Sequence, residues 1–141
     1  MIRNTVPDSF ARLQARGYKL TGPRRRIIEK LYDQRRAFTA LELHQLLTGE
    51  GVSLASVYRT IGLLVEIGLA ETATRSGDEQ RYIACSPGQH HHHVVCSRCG
   101  QVADITDCLL EPFEDLVRER TNFTIESHTL EFHGYCAACR Q

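Results

Sequence analysis

Four of the six cysteines stand as two Cys-x-x-Cys pairs, Cys96 with Cys99 and Cys136 with Cys139, with 36 residues between the pairs. Each pair sets two thiolates on one tight turn, and two such turns supply the four sulfurs of a closed tetrahedral zinc site. With every position taken by sulfur, no place is left for water or substrate. The chemistry is then structural, a clip between the C-terminal tail and an earlier turn; a redox switch is the competing use of such pairs. Directly before the first pair stand His90, His91, His92 and His93. In an extended segment successive side chains point to opposite faces, so His90 and His92 face one way while His91 and His93 face the other. Same-face neighbours lie about 6.5–7 Å apart, a span that two imidazoles close around one ion. One run of histidines can therefore serve two separate metal sites.

Charge separates the chain into two unlike parts. Residues 1–60 carry 11 Lys/Arg against 5 Asp/Glu, whereas residues 61–141 carry 6 against 12, although the totals balance at 17 each. A basic first part suits a polyanion, and an acidic, His-rich second part suits cations. With 141 residues and 42% hydrophobic composition, disorder and collagen-like repeats are excluded. No apolar run reaches the roughly 18 residues of a membrane span, and the N-terminus lacks the apolar core of an export signal. The expectation is a soluble, cytoplasmic protein without membrane contact, in which paired thiols serve zinc more than disulfides.

The elements that must position these groups follow from periodicity. After Thr21-Gly22-Pro23, apolar residues Ile27, Ile28, Leu31 and Tyr32 recur at helical spacing, with proline suited to the first turn. Thr39-Ala40-Leu41-Glu42 is a capping box opening a short helix whose Leu43, Leu46 and Leu47 would face a core. Ser53 caps a third helix with Leu54, Val57, Ile61, Leu64 and Val65 in one stripe, leaving Ala55, Ser56, Tyr58, Arg59 and Thr60 on or near the outer face. Leu69–Thr74 and Gln80–Ala84 read as a hairpin. Three helices and a hairpin make a winged helix-turn-helix, whose second motif helix enters the DNA major groove. Tyr58 and Arg59 are suited to that contact, through a thymine methyl and through guanine or phosphate. Ser86-Pro87-Gly88-Gln89 reads as a linker; strands His93–Cys96 and Val102–Ile105, a helix bearing Leu109, Phe113, Leu116 and Val117, and an alternating strand from Phe123 to Phe132 follow. About fifty residues bury little core, so a metal staple, a dimer partner or both are expected.

These motifs resemble those of the ferric uptake regulator (Fur) superfamily of bacterial metal-sensing repressors. The resemblance runs from about Gly17 to Cys139 through Leu20–Arg24, Ala55–Thr60, His90–Gly100 and His128–Cys136, in family order and spacing. It implies an α+β chain with a winged-helix DNA-binding domain (1–85), a hinge (86–89) and a small α/β dimerisation domain (90–141). It also implies a homodimer that binds palindromic, AT-rich double-stranded promoter DNA when its regulatory metal is present. The structural zinc maps to Cys96, Cys99, Cys136 and Cys139, and a third site to His90, His92, Glu111 and His128. The interdomain regulatory site maps to His91 and His93 with ligands from the wing. Iron-type and peroxide-type members usually carry a carboxylate where this chain has Cys85, and a histidine near Ala37; zinc uptake regulators have a thiolate matching Cys85 and a wing carboxylate matching Glu71. The regulatory set is then Glu71, Cys85, His91 and His93. Thiolate with imidazole in a four-coordinate site favours zinc, whereas iron(II) and manganese(II) favour more oxygen and nitrogen ligands. Arg16, Lys19 and Arg24 are expected to add DNA backbone or minor-groove contacts, with Ser56 beside Tyr58 and Arg59.

The expected function is a zinc-loaded repressor of zinc uptake genes, whose bridging ion sets the angle between the domains. In a dimer that angle fixes the separation of two recognition helices, which must match major grooves about 34 Å apart. The alternatives are an iron(II), manganese(II) or peroxide sensor and, outside the family, a zinc hydrolase using Glu111 as base. Nothing in the sequence supplies a small-molecule substrate pocket, and the expectation is a regulator and not an enzyme. Cys108 reads as a packed thiol, His44 as solvent-facing, His133 as a neighbour of the last thiolate pair, and Asp104 as a reserve ligand.

Overall fold

A computed structural model describes residues 5–73, 79–86 and 90–140. The chain opens with α1 (Val6–Ala15), α2 (Gly22–Asp33), β1 (Phe38–Thr39), α3 (Ala40–Leu46) and α4 (Leu54–Glu66). β2 (Ala70–Ala73) and β3 (Arg81–Ala84) follow. The three strands form one antiparallel sheet in the order β1-β3-β2. This is the expected winged helix with two additions, α1 and β1. Helix α1 starts from a capping box in which Thr5 and Asp8 each satisfy the other's backbone N–H, with a proline in the first turn. β1 is two residues long, too short to carry a period.

Ile27, Ile28 and Leu31 of α2, Leu43 of α3, and Val57, Ile61 and Leu64 of α4 meet in one core with Leu13, Phe38, Leu47 and Leu69. Two expectations are corrected here. Leu46 is 42% exposed, because α3 ends at that residue and only Leu43 and Leu47 turn inward. Thr60 is buried, which narrows the outer face of α4 to Ala55, Ser56, Tyr58 and Arg59. Both predicted caps are present, Thr39 and Ser53 accepting the N–H of Glu42 and Ser56, and Thr21 accepts that of Arg24 in the same way. Glu42 also takes a two-point ion pair from Arg81, at 2.8 and 2.9 Å, which fastens α3 to the wing sheet.

The second part holds β4 (His92–Cys96), β5 (Val102–Ile105), α5 (Glu111–Thr121) and β6 (Glu131–Gly134), with strand order β5-β4-β6. β4 runs antiparallel to β5 and parallel to β6, pairing Cys96 with Gly134. The strand expected over 123–132 is shorter and later. Residues 122–130 have no regular structure, and their alternation finds no partner strand among the described residues. No residue of α5 is buried, and Leu109, Phe113 and Leu116 stand exposed beside Phe123. No helix among the described residues is long and apolar enough to cross a membrane.

The two parts meet directly. Ala37 N–H donates to Gly100 O at 2.8 Å and Val102 N–H to Arg35 O at 2.9 Å, a bridge that sets residues 35–37 against the strand after the first thiol turn. Ala37, Ala73, Ile83, Val95 and Val102 form a second small core at this junction. Gly100 sits at φ +77°, and a Cβ there would lie 3.0 Å from Ala37 O, so only glycine permits both the turn and the approach. The expected hinge is only partly described, since residues 87–89 and the wing tip 74–78 lie outside the described residues. Protein contacts therefore contribute to setting the angle between the two parts.

Candidate metal centres

β4 alternates, and the alternation divides the histidines. His91 and His93 turn toward the wing, where Glu71 of β2 and Cys85, just beyond β3, lie; the four ligand atoms fall within 4.8 Å of one another. His93 Nε2 is 3.1 Å from Glu71 Oε2 and 3.6 Å from Cys85 Sγ, and His91 Nε2 is 4.0 Å from Glu71 Oε1. Cys85 is carried there because its N–H donates to Leu69 O while its carbonyl and that of Leu69 both accept from the Tyr32 hydroxyl. His90 and His92 turn the other way and meet His128, with Nε2 atoms 2.9–3.2 Å apart. Cys96, Cys99, Cys136 and Cys139 form the third cluster, with Cys99 and Cys136 sulfurs 3.7 Å apart.

These spacings fit a metal. A tetrahedral ion with Zn–N of about 2.0–2.1 Å and Zn–S of about 2.3 Å holds two nitrogens about 3.3 Å apart, nitrogen and sulfur about 3.5 Å, and two sulfurs about 3.8 Å. The observed N···N, N···S and S···S distances lie close to those edges. Three imidazole nitrogens facing one another cannot all be satisfied by protons, because two lone pairs remain opposed whenever one N–H points inward. A cation at the centre removes that conflict.

The electrostatics are consistent with this. The hydrogen bond from His93 and the charges of His91 and His93 hold Glu71 below the usual carboxylate range. Asp104 is lowered by its own hydrogen bond with His93 and is thus acceptor-only, so His93 Nδ1 donates to it at 3.1 Å. That bond aims Nε2 at Glu71 and Cys85, the arrangement that orients a metal-bound imidazole. Burial opposes charge on His93, but hydrogen bonds with Asp104, Cys85 and Glu71 outweigh it and raise the imidazole to about 11. Burial pushes the Cys85 thiol up to about 11. In the thiol cluster, the backbone N–H of Cys136 on Cys96 Sγ lowers Cys96 to about 6, while contact with the Cys136 thiol raises Cys139 to about 12. Four sulfurs this close cannot all ionise without a cation among them.

The model of the ferric uptake regulator family matches residues 15–133. The chain belongs to that family. The ferric uptake regulation protein of Bacillus subtilis strain 168 is 34% identical over 98% of this chain and 96% of its own length. That of Legionella pneumophila is 31% identical over 94% and 99%. The crystal structure of the Vibrio cholerae ferric uptake regulator superposes with a TM-score of 0.68 at 28% identity, over 92% of this chain and 100% of that one. As a Fur-family protein the chain is a metal-responsive transcription regulator, of a family that works as DNA-binding dimers and binds zinc, iron or manganese.

In this Fur-family fold the residues expected to face DNA lie on α4 and on the stretch from the end of α1 into the first turn of α2. Tyr58 is 55% exposed and Arg59 is exposed on α4, with Ser56 between the cap and the Arg59 guanidinium. Arg16 and Lys19 are exposed after α1. Arg24 folds back, donating to the Lys19 carbonyl, which shapes the loop that presents Lys19. Glu111, expected in the third set, is exposed and lies outside the cluster; Cys108 stands there instead, its sulfur 3.4 Å from His128 Nε2. The helix starts at Glu111, so its side chain leaves from the first turn while Cys108 precedes the helix. Asp104, read from the sequence as a reserve ligand, stands outside the cluster as the acceptor on His93; two partners escaped the sequence reading, Arg35 at 2.6 Å from Asp104 and Glu114 at 2.5 Å from His128 Nδ1. His133 pairs with Glu131 and His44 is half-buried.

Proposed function

We propose that the protein is a zinc-responsive repressor of the zinc uptake branch, which binds palindromic promoter DNA as a homodimer when Glu71, Cys85, His91 and His93 share one zinc ion. The observation carrying this reading is the buried sulfur of Cys85 in a set with two imidazoles. A soft ligand in a four-coordinate site suits zinc better than iron(II) or manganese(II). In the same proposal residues 1–85 bind DNA, 86–89 act as hinge and 90–141 dimerise. Cys96, Cys99, Cys136 and Cys139 hold a structural zinc. Arg16, Lys19, Arg24, Ser56, Tyr58 and Arg59 form the DNA face, exposed Leu109, Phe113 and Leu116 face a second copy, and the protein acts in the cytoplasm.

Glu71 lies on β2 and Cys85 just beyond β3, whereas His93 lies on β4 and His91 just before it. A bound zinc supplies four directed bonds between them. Asp104 keeps His93 aimed at the wing ligands, and Arg35, from the winged-helix side, holds Asp104. The backbone bridge at Ala37 and Gly100 fixes one edge of the junction, so the four ligands need to close only the other. The closed angle then sets the spacing of the two α4 helices on the duplex, and preference of the ligand set for that angle is the coupling between metal and DNA.

The test is affinity for DNA against buffered free zinc, iron(II) and manganese(II), on palindromic duplexes selected from a random pool by the zinc-loaded protein. Zinc is expected to drive binding at the lowest free concentration. A response to iron(II) or manganese(II) with none to zinc overturns the reading. A second expectation concerns pH. Before an ion binds, His93 and Cys85 are both protonated at neutral pH, since each is raised to about 11. Zinc requires both deprotonated, so about two protons leave and affinity rises with pH, by about tenfold per proton per unit. Calorimetry in buffers of different ionisation heat counts those protons, and a pH-independent affinity contradicts the assignment of this pair.

A further inference from the structure

His92 at the start of β4, His90 two residues before it, His128 from the stretch after α5 and Cys108 from the stretch before it offer four ligand atoms, all within 4.8 Å of one another. The three imidazole Nε2 atoms are 2.9, 3.1 and 3.2 Å apart, and Cys108 Sγ lies 3.4 Å from His128 Nε2. The N···N values run slightly short of, and the N···S value close to, the edges of about 3.3 and 3.5 Å set by tetrahedral zinc. Glu114 Oε1 accepts the hydrogen bond of His128 Nδ1–H, which leaves the Nε2 lone pair turned inward, as a carboxylate does behind a metal-bound histidine. We propose that Cys108, and not the carboxylate of Glu111, is the fourth ligand of this centre, and that the ion it completes pins α5 to the sheet.

The sulfur changes what the centre selects. Three imidazoles and a carboxylate accept manganese(II) or iron(II) readily, whereas a thiolate in a four-coordinate set turns the preference to zinc and other soft ions. The position of Cys108 changes what the centre does. Cys108 stands just before α5 and His128 a few residues after it, so both feet of the helical excursion are bound to one point at the start of β4. α5 has no buried residue to hold it down, and closing this loop on a metal removes the freedom that packing does not. Leu109 and Phe113, 85% and 60% exposed, ride on that excursion. Occupation of the centre therefore orders an apolar face that a second copy of the chain has to meet.

This centre shares no ligand with the one formed by Glu71, Cys85, His91 and His93. The full-length dimer carrying Cys85→Ala, with its thiol cluster filled by zinc, is titrated with cobalt(II), and the thiolate-to-cobalt charge-transfer absorption is read. The parent background is expected to gain that absorption along with the tetrahedral ligand-field bands. Cys108→Ser and Cys108→Ala are expected to lose the charge-transfer absorption and to bind cobalt(II) about 100-fold more weakly or worse, beyond the 10–100-fold that even an outer partner of a ligand commands. Glu111→Gln is expected to keep both. Hydrogen exchange supplies a readout that colour does not, since amides 111–121 should slow on cobalt binding in the background and not in Cys108→Ser. Tight, colour-free binding in the background, or a loss confined to or shared by Glu111→Gln, overturns the proposal.

Discussion

Replacing Cys85 with serine is expected to leave a folded dimer that no longer tightens on DNA when zinc is added. Cys85 contributes the one sulfur to the set formed with Glu71, His91 and His93, and an alcohol at neutral pH is a poor zinc ligand. Coupling between an effector and a distant ligand is typically about 5–150-fold, so affinity at saturating zinc should fall by that factor to the metal-free level. The rest of the junction does not depend on the sulfur. The Ala37–Gly100 and Arg35–Val102 backbone hydrogen bonds, the small core around Ile83 and Val95, and the Arg35–Asp104 ion pair all remain. Fluorescence anisotropy across a buffered zinc series, beside sedimentation of the same samples, separates loss of response from loss of fold. Superimposable curves for variant and parent would falsify the sensing role of this cluster.

Much of the architecture could be read from period and caps. The stripe Val57, Ile61, Leu64 recurs at helical spacing and is buried where that spacing puts it. His92 and His93 face opposite ways because they open β4, where pairing to β5 holds both and pairing to β6 holds His93, and His90 and His91 continue the alternation just before the strand. Chemistry that depends on where two distant segments meet was less legible. Glu111 and Cys108 are three residues apart and both able to bind a metal; which one faces His128 depends on where α5 begins, and that end has no side-chain cap to announce it. Asp104 carries its role through His93 Nδ1, a contact made across the β4–β5 pair in register. The alternation over Phe123–Phe132 misled for a different reason. Phe123 and Ile125, then Leu130 and Phe132, alternate with polar residues as in a strand, but a strand needs a neighbour for its backbone groups, and no described strand of this chain lies beside residues 122–130.

Replacing Cys96 with serine is expected to do the opposite of the Cys85 change, dissolving the second part of the chain and the dimer with it. The sheet β5-β4-β6 has few buried apolar groups, Val95, Cys96 and Val102 among them, far less than a domain of about fifty residues needs to fold on burial alone. In the proposed reading its closure comes from the four sulfurs. Cys96 ends β4, Cys99 lies on the following turn, and Cys136 and Cys139 lie on the tail after β6, with Arg98 donating to the Cys139 carbonyl at 3.0 Å. Structural zinc contributes about 10–16 kcal/mol of apparent binding in zinc-finger peptides, more than the whole stability of most small domains. Removal of one thiolate also strands the Cys136 N–H that now donates to Cys96 Sγ and loosens the turn whose Gly100 docks on Ala37. Zinc content should fall by one per chain, sedimentation should give monomer, and DNA binding should be absent at any zinc concentration. Retention of a dimer with parental thermal stability would show that exposed Phe113, Leu116 and their neighbours hold the two copies without the clip.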